Sequence, residues 1–160
     1  MLIPFDEMPG NARVWIYQAN KTFDDSEILT IESVCKDFFQ TWAAHGAPLK
    51  NSFQVFHNKF LVISVDESFN QASGCSIDAS VSIVRKIESE LQVNFFDRTR
   101  VCFLADGKIF DSQLTEMKDL ISRGTIQKDT LTFNNLVTNI EELKEKWTIP
   151  AGDSWLSRYF

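Results

Sequence analysis

The residue types best suited to chemistry gather in Ser73-Gly74-Cys75-Ser76-Ile77-Asp78. An apolar stripe starts within that run, at Ile77, and recurs at Val81, Val84, Ile87 and Leu91, so the run opens a helix. A thiol there lies at the positive end of the helix macrodipole, beside amides that no carbonyl satisfies, and both favour thiolate. Gly74 lets the backbone approach a ligand closely, and the same amides bind an anion without help from the sulfur. Cys75 is therefore the candidate nucleophile, and Gly74, Cys75, Ser76 and Asp78 are candidate ligand-binding residues. A second account of the same residues is plain capping. Ser73 or Ser76 caps the helix, Asp78 complements its dipole and opposes a nearby thiolate, and Cys75 fills a small gap.

A nucleophilic cysteine needs a base, and the chain holds two histidines, His45 and His57, neither near Cys75 in sequence. His45 reads as a cation at a helix C-terminus and His57 as a turn residue. Cys35 falls on an apolar helical stripe and Cys102 inside an apolar strand, so both read as core. No Cys and His fall at zinc-ligand spacing, and no metal or cofactor is expected. In Phe95-Phe96-Asp97-Arg98 the rings anchor a loop and the charges close a turn, with Arg98 kept as a candidate ligand-binding residue. The six glycines form neither a P-loop nor a dinucleotide fingerprint, which argues against a conventional ATPase. Near the C-terminus Trp155, Leu156, Tyr159 and Phe160 are spaced to share one side of a helical turn, making Trp155, Tyr159 and Phe160 candidate interaction residues.

The elements that must position these groups follow from periodicity. Arg13 to Tyr17 reads as a strand. Asp24 and Glu27 have capping-box spacing, and Ile28, Ile31, Cys35, Phe38 and Trp42 mark one face of a long helix stopped by His45, Gly46 and Pro48. Phe53–Phe56 and Phe60–Val65 form a hairpin about His57-Asn58-Lys59. The Cys75 helix follows, then a strand over 100–104 turned by Asp106-Gly107 into Lys108-Ile109-Phe110. That order predicts an α+β fold with a ferredoxin-like βαββαβ core over 12–105. Strands 14–17, 60–63 and 101–104 are apolar at every position, so the second sheet face needs a cover, and the 106–160 extension, or else a partner subunit, is expected to supply it. That extension holds a short helix at Met117, Leu120 and Ile121 stopped by Gly124, a strand at 130–133, and a charged helix opened by a Thr138/Glu141 capping box and ending near Trp147.

Composition sets the outer limits. A chain of 160 residues, 44% hydrophobic and with fourteen Phe and four Trp, is large enough for one domain with an aromatic core. With 22 acidic against 16 basic residues, the formal net charge of −6 argues against nucleic acid or anionic lipid as partner. The apolar runs are too short for a membrane helix, Met1 to Glu7 lacks a signal-peptide pattern, and three scattered cysteines suit a reducing cytoplasm.

Trp42-Ala43-Ala44-His45-Gly46-Ala47-Pro48-Leu49, Val65-Asp66-Glu67-Ser68-Phe69-Asn70, Ser73 to Asp78, Phe96-Asp97-Arg98 and Phe133-Asn134-Asn135-Leu136-Val137 together resemble a family of small uncharacterised bacterial proteins. Its members often carry the label "ABC transporter ATPase", although this chain lacks the P-loop and the transporter signature. The resemblance implies, at most, an accessory of such a transporter without ATPase activity of its own, and it carries no catalytic residues over. Leu114 to Phe133 is similar to part of bacterial GYF-like peptide-binding modules, without their Gly-Tyr-Phe triplet. Taken together these readings favour a non-catalytic cytoplasmic binding or protein-interaction domain, homo-oligomeric or partnered. The alternative is a small thiol enzyme or anion binder centred on Cys75.

Overall fold

A computed structural model describes residues 1–160. The fold is mixed α+β, with four helices and nine strands in three antiparallel sheets. It divides into two compact units, Met1–Phe96 with Thr138–Glu142, and Asp97–Val137 with Leu143–Phe160.

The first unit contains β1 (Arg13–Gln18), α1 (Asp25–Phe39), the two-residue strands β2 (Ala43–Ala44) and β3 (Ala47–Pro48), β4 (Asn51–Phe56), β5 (Phe60–Val65) and α2 (Gly74–Leu91). β5 runs between β1 and β4, with Ile63 opposite both Trp15 and Phe53. As the central strand it is buried at all six positions, which is why its sequence does not alternate. Leu61, Ile63 and Val65 join Ile31, Cys35 and Phe39 of α1 and Val84 and Ile87 of α2 in one apolar core. On the opposite face Phe60, Val62 and Ser64 are buried as well.

α1 opens on the expected capping box: Glu27 N donates to Asp24 Oδ1 at 2.8 Å, and Asp24 N donates to Glu27 Oε1 at 3.1 Å. Its end differs from expectation. The helix stops at Phe39, and His45 (φ 51°) and Gly46 (φ 78°) form the turn of the small β2–β3 hairpin. Two consecutive positive φ values match the twist of a tight hairpin, so the residues that looked like a helix stop build a turn instead. His45 is therefore a turn residue and no helix-terminal cation. Trp42, beyond the helix, is nevertheless buried against the rings of Phe38, Phe39 and Trp15.

The second unit contains β6 (Arg100–Ala105), β7 (Lys108–Gln113), α3 (Met117–Ser122), β8 (Leu131–Phe133) and β9 (Thr148–Pro150), with strand order β7-β6-β8-β9. α4 (Ile140–Lys146) begins in the Thr138–Glu142 segment that belongs to the first unit. Val101, Phe103, Met117, Ile126, Ala151 and Leu156 form the core of the second unit.

The strands thus come in the expected chain order but do not share one sheet. In a ferredoxin-like core β6 would lie beside β1. Here that edge of β1 is taken by Thr138–Ile140: Val14 N donates to Thr138 O at 2.9 Å, Ile140 N donates to Ala12 O at 3.0 Å, and Arg13 faces Asn139 across an antiparallel bridge. β6 is instead paired on one side with β7 across the two-residue Asp106-Gly107 turn, both at positive φ, and on the other with β8. The 12–105 core therefore ends before β6. The cap of α4 is also one residue later than the Thr138/Glu141 expectation: Glu142 N donates to Asn139 Oδ1 at 2.8 Å, while Thr138 N donates to Glu142 Oε2 at 2.9 Å.

Candidate functional site

The Cys75 site forms where the sequence places it, as a cap. Ser73 is the N-cap residue of α2, and Gly74, Cys75 and Ser76 are its first three helical residues. Ser76 N donates to Ser73 Oγ at 3.1 Å, Ser73 N donates to Ser76 Oγ at 2.8 Å, and the Ser76 hydroxyl donates to Ser73 O at 2.8 Å. This reciprocal pair engages the amides of both serines and the hydroxyl of Ser76, and the Ser76 carbonyl accepts the Trp42 indole N–H at 2.9 Å. Ser76 is therefore a buried structural residue, whereas Gly74, Cys75 and Asp78 are exposed. Asp78 lies beyond the first turn and so complements the helix dipole less than its sequence position suggested.

The buried face of α2 is Ser76, Ser80, Val84 and Ile87, rotated from the apolar stripe, with Ile77, Val81 and Leu91 half-buried. The hydroxyls of these serines bond back within the helix, as Ser80 Oγ does to Ile77 O at 2.6 Å, so their burial leaves no donor unsatisfied. The other two thiols are buried. Burial, followed by the charge of Glu32, pushes Cys35 up to about 12.

Arg98 lies exposed on the loop leading into β6, in the second unit. Its neighbour Asp97 is engaged by Thr99, whose N–H donates to Asp97 Oδ1 at 2.9 Å, and this hydrogen bonding with Thr99 holds the carboxyl below its ordinary range. At the C-terminus the Trp155–Tyr159 turn is a 3₁₀ helix. Leu156 points into the core of the second unit, with Tyr159 and Phe160 packed partly buried against it. Trp155 alone stays exposed, at 49%, with the Arg158 guanidinium 5.7 Å from its ring centre. The four residues therefore do not share one outward side. A Cβ at Gly152, before this turn, would meet the Lys128 Cβ at 3.0 Å and the Lys128 carbonyl at 3.1 Å, so a larger residue there needs Lys128 to shift.

Another site is built between α1 and the outer edge of β4. A cleft of about 250 Å³ is lined by Ile28, Glu32 and Lys36 of α1, by Phe53, Gln54 and Val55 of β4, and by Asn58 at the hairpin tip. Asn51 donates its N–H to Met1 O and accepts from Ile3 N, both at 2.9 Å, so its main chain faces away from β5. Alternation along an antiparallel strand then turns the N–H and C=O of Phe53 and Val55 the same way, towards the cleft. No hydrogen bond from the rest of the chain reaches those outward groups. Their side chains pack on the core beneath α1. The helix runs antiparallel to the strand. Its C-terminal end touches the start of β4, where Asn51 Nδ2 donates to Phe39 O at 3.0 Å and the Phe39 and Phe53 rings are 5.6 Å apart. Just ahead of its N-terminal end, Phe23 N donates to Asn58 O at 2.7 Å.

Glu32 and Lys36 stand one helical turn apart on the rim of the cleft and make no ion pair. The sequence reading missed this site. Its only sequence signal is that acid and base at four-residue spacing beside the apolar stripe, and which strand edge they overhang depends on the strand order. His57, at the hairpin tip, has its pKa lowered by partial burial. No helix is long and apolar enough to cross a membrane, and no three His, Cys, Asp or Glu side chains gather closely enough to hold a metal ion. Comparison with protein-family models, with curated proteins and with solved structures gives no match.

Proposed function

We propose that this protein is a non-catalytic interaction domain whose first unit takes an extended segment of another polypeptide beside β4. The observation that carries this reading is the open edge: two outward N–H groups and two outward C=O groups, at Phe53 and Val55, bordering a cleft roofed by α1. Main-chain groups in that arrangement accept an added strand, which supplies the hydrogen bonds while the cleft reads alternate side chains. An exposed edge left without such a partner is an aggregation hazard, so leaving one open next to a shaped cleft favours use.

The test is selection of displayed peptides on the immobilised chain, counter-screened with Val55→Pro, which removes one outward donor from an edge strand. Melting of the variant checks that it folds. Clones that bind the native chain and lose binding to the folded variant support the reading. Clones indifferent to the substitution refute it.

A second reading is a thiol-dependent site at Cys75, favoured by one observation: Cys75 is the exposed thiol while Cys35 and Cys102 are buried. It requires the Cys75 alkylation rate to rise at a lower pH than for an ordinary cysteine, at about 8.5. An ordinary profile removes it.

A further inference from the structure

The cleft has a polarity. Ile28, Glu32 and Lys36 lie along it in that order from the hairpin tip towards the start of β4. Successive members are separated by about 6 Å, four residues of helix rise. Alternate residues of an extended strand are about 6.6–6.8 Å apart, so side chains at every second position of an added strand meet the three helix residues one by one. A strand antiparallel to β4 is the better-bonded choice, and it runs in the direction of α1. In that register the residues opposite Val55 and Phe53 exchange main-chain hydrogen bonds with them and point their side chains to the α1 side, where those of Val55 and Phe53 already lie.

Resting on the edge-binding reading, we infer that the occupant is an extended peptide antiparallel to β4. Reading from its N-terminal end, it carries an apolar residue, a basic residue two positions on, and an acidic residue two further on. The apolar side chain lies against Ile28, the basic one meets Glu32 opposite Val55, and the acidic one meets Lys36 opposite Phe53. Two features support the charge pattern. Glu32 and Lys36 have the spacing at which a glutamate and a lysine on one helix ordinarily pair, and here they do not pair. Both also line the cleft whose β4 side offers unused main-chain donors and acceptors. A peptide of this pattern satisfies both sets of groups at once, and the reversed charge order sets like charges against each other at two points.

The probes are two synthetic peptides, acetyl-Ser-Val-Thr-Lys-Thr-Glu-Ser-amide and the same peptide with its Lys and Glu exchanged. Each is titrated into the full chain with the amide resonances followed by NMR. The first should shift the Phe53 and Val55 amides and slow their hydrogen exchange, and the second should bind roughly tenfold more weakly, the scale of losing two favourable contacts for two repulsive ones. Lys36→Glu, an exposed substitution that leaves the fold intact, should weaken the first peptide, and the Glu32→Lys/Lys36→Glu double variant should reverse the preference. Equal binding of both peptides at those amides overturns the charge pattern and leaves the edge reading standing. No response at Phe53 and Val55 from either peptide overturns both. Protection of the same amides in the free chain, growing with protein concentration, makes a second copy the occupant and also overturns the inference.

Discussion

The two edges of the first unit's sheet are finished differently. Along β1 the chain itself returns at the start of the strand: Thr138 O accepts from Val14 N and Ile140 N donates to Ala12 O, so the edge is covered there. Along β4 the N-terminal residues cover only Asn51 and Ser52, the latter through its hydroxyl to Ile3 O at 2.7 Å, and Phe53 to Val55 are left to the cleft. A closed edge contributes to stability because its buried main-chain groups are costly to orphan. An open edge contributes little to stability and is free to bind. One sheet thus separates the two roles, and matched substitutions on its two sides should separate them experimentally.

The largest effect should come from Val14→Pro. It deletes the donor to Thr138 O and truncates a buried side chain, and we expect a loss of about 3–5 kcal/mol in chemical denaturation. Val55→Pro, whose lost N–H faces outward, should cost about 1–2 kcal/mol, because proline on the open side of an edge strand breaks no ladder bond. Equal losses at the two positions would erase the distinction between the edges.

Trp42→Ala follows, at about 3–5 kcal/mol for a buried aromatic. Trp42 also ties α1 to α2 through the bond from its indole N–H to Ser76 O, so Trp42→Phe should cost about 1–2 kcal/mol as that carbonyl loses its partner. Because the Trp42 ring also packs on Phe38 and Phe39 at the end of α1, Trp42→Phe should also weaken peptide binding in the cleft, read in the same NMR titration. Unchanged binding would mean that the roof of the cleft is positioned without it.

Asp66, just past the end of β5, sharpens the comparison through pH. Its carboxyl is held below its ordinary value, first by the hydroxyl of Ser68, with the Ser68 N–H at 3.1 Å and Lys50 at 3.5 Å adding to the effect against an opposing cost of burial. Depression in the folded state means that its stabilisation is complete above about pH 4, the unfolded carboxyl range, and is lost as pH falls through the lower folded value. Acid titration of Asp66→Asn should therefore show a shallower loss of stability below about pH 4 than the native chain, while Val55→Pro keeps the native slope. An unchanged slope in Asp66→Asn would place the acid sensitivity elsewhere.

The smallest effect should be Cys75→Ser, within about 0.5 kcal/mol, since the thiol is exposed and the Ser73–Ser76 cap does not involve it. Native-state alkylation should label Cys75 before Cys35 and Cys102. A larger loss would show that the thiol carries a contact which its exposure hides.

Several elements were legible in the chain because local chemistry fixes them. The Asp24/Glu27 box starts α1, Ser73 and Ser76 start α2, Asp106-Gly107 turns β6 into β7, and the apolar run over 60–63 marks β5 as a strand buried on both faces. Each depends on neighbours within a few residues, where capping, turn geometry and hydrophobic period act. Which strands pair is a different kind of fact. β6 beside β1 and β6 beside β8 demand the same apolar residues of β6, and only the long-range return of Thr138–Ile140 onto β1 decides between them. The same holds at finer scale for Ser76 and Ser80, polar in sequence yet buried with their hydroxyls bonded back within α2, and for His45, whose role changed once α1 ended six residues earlier. Cys75 was visible as a helix-start thiol, but that the Ser73 and Ser76 amides and the Ser76 hydroxyl are engaged by the cap is decided by the folded chain. The cleft between α1 and β4 left almost no trace, because Glu32, Lys36, Phe53 and Val55 become one site through strand order. The sequence by itself determined the starts of α1 and α2, the Asp106-Gly107 turn and the apolar strands. The tertiary structure alone decided which edge is closed and which is open, because hydrogen bonds between distant strands carry no local signature.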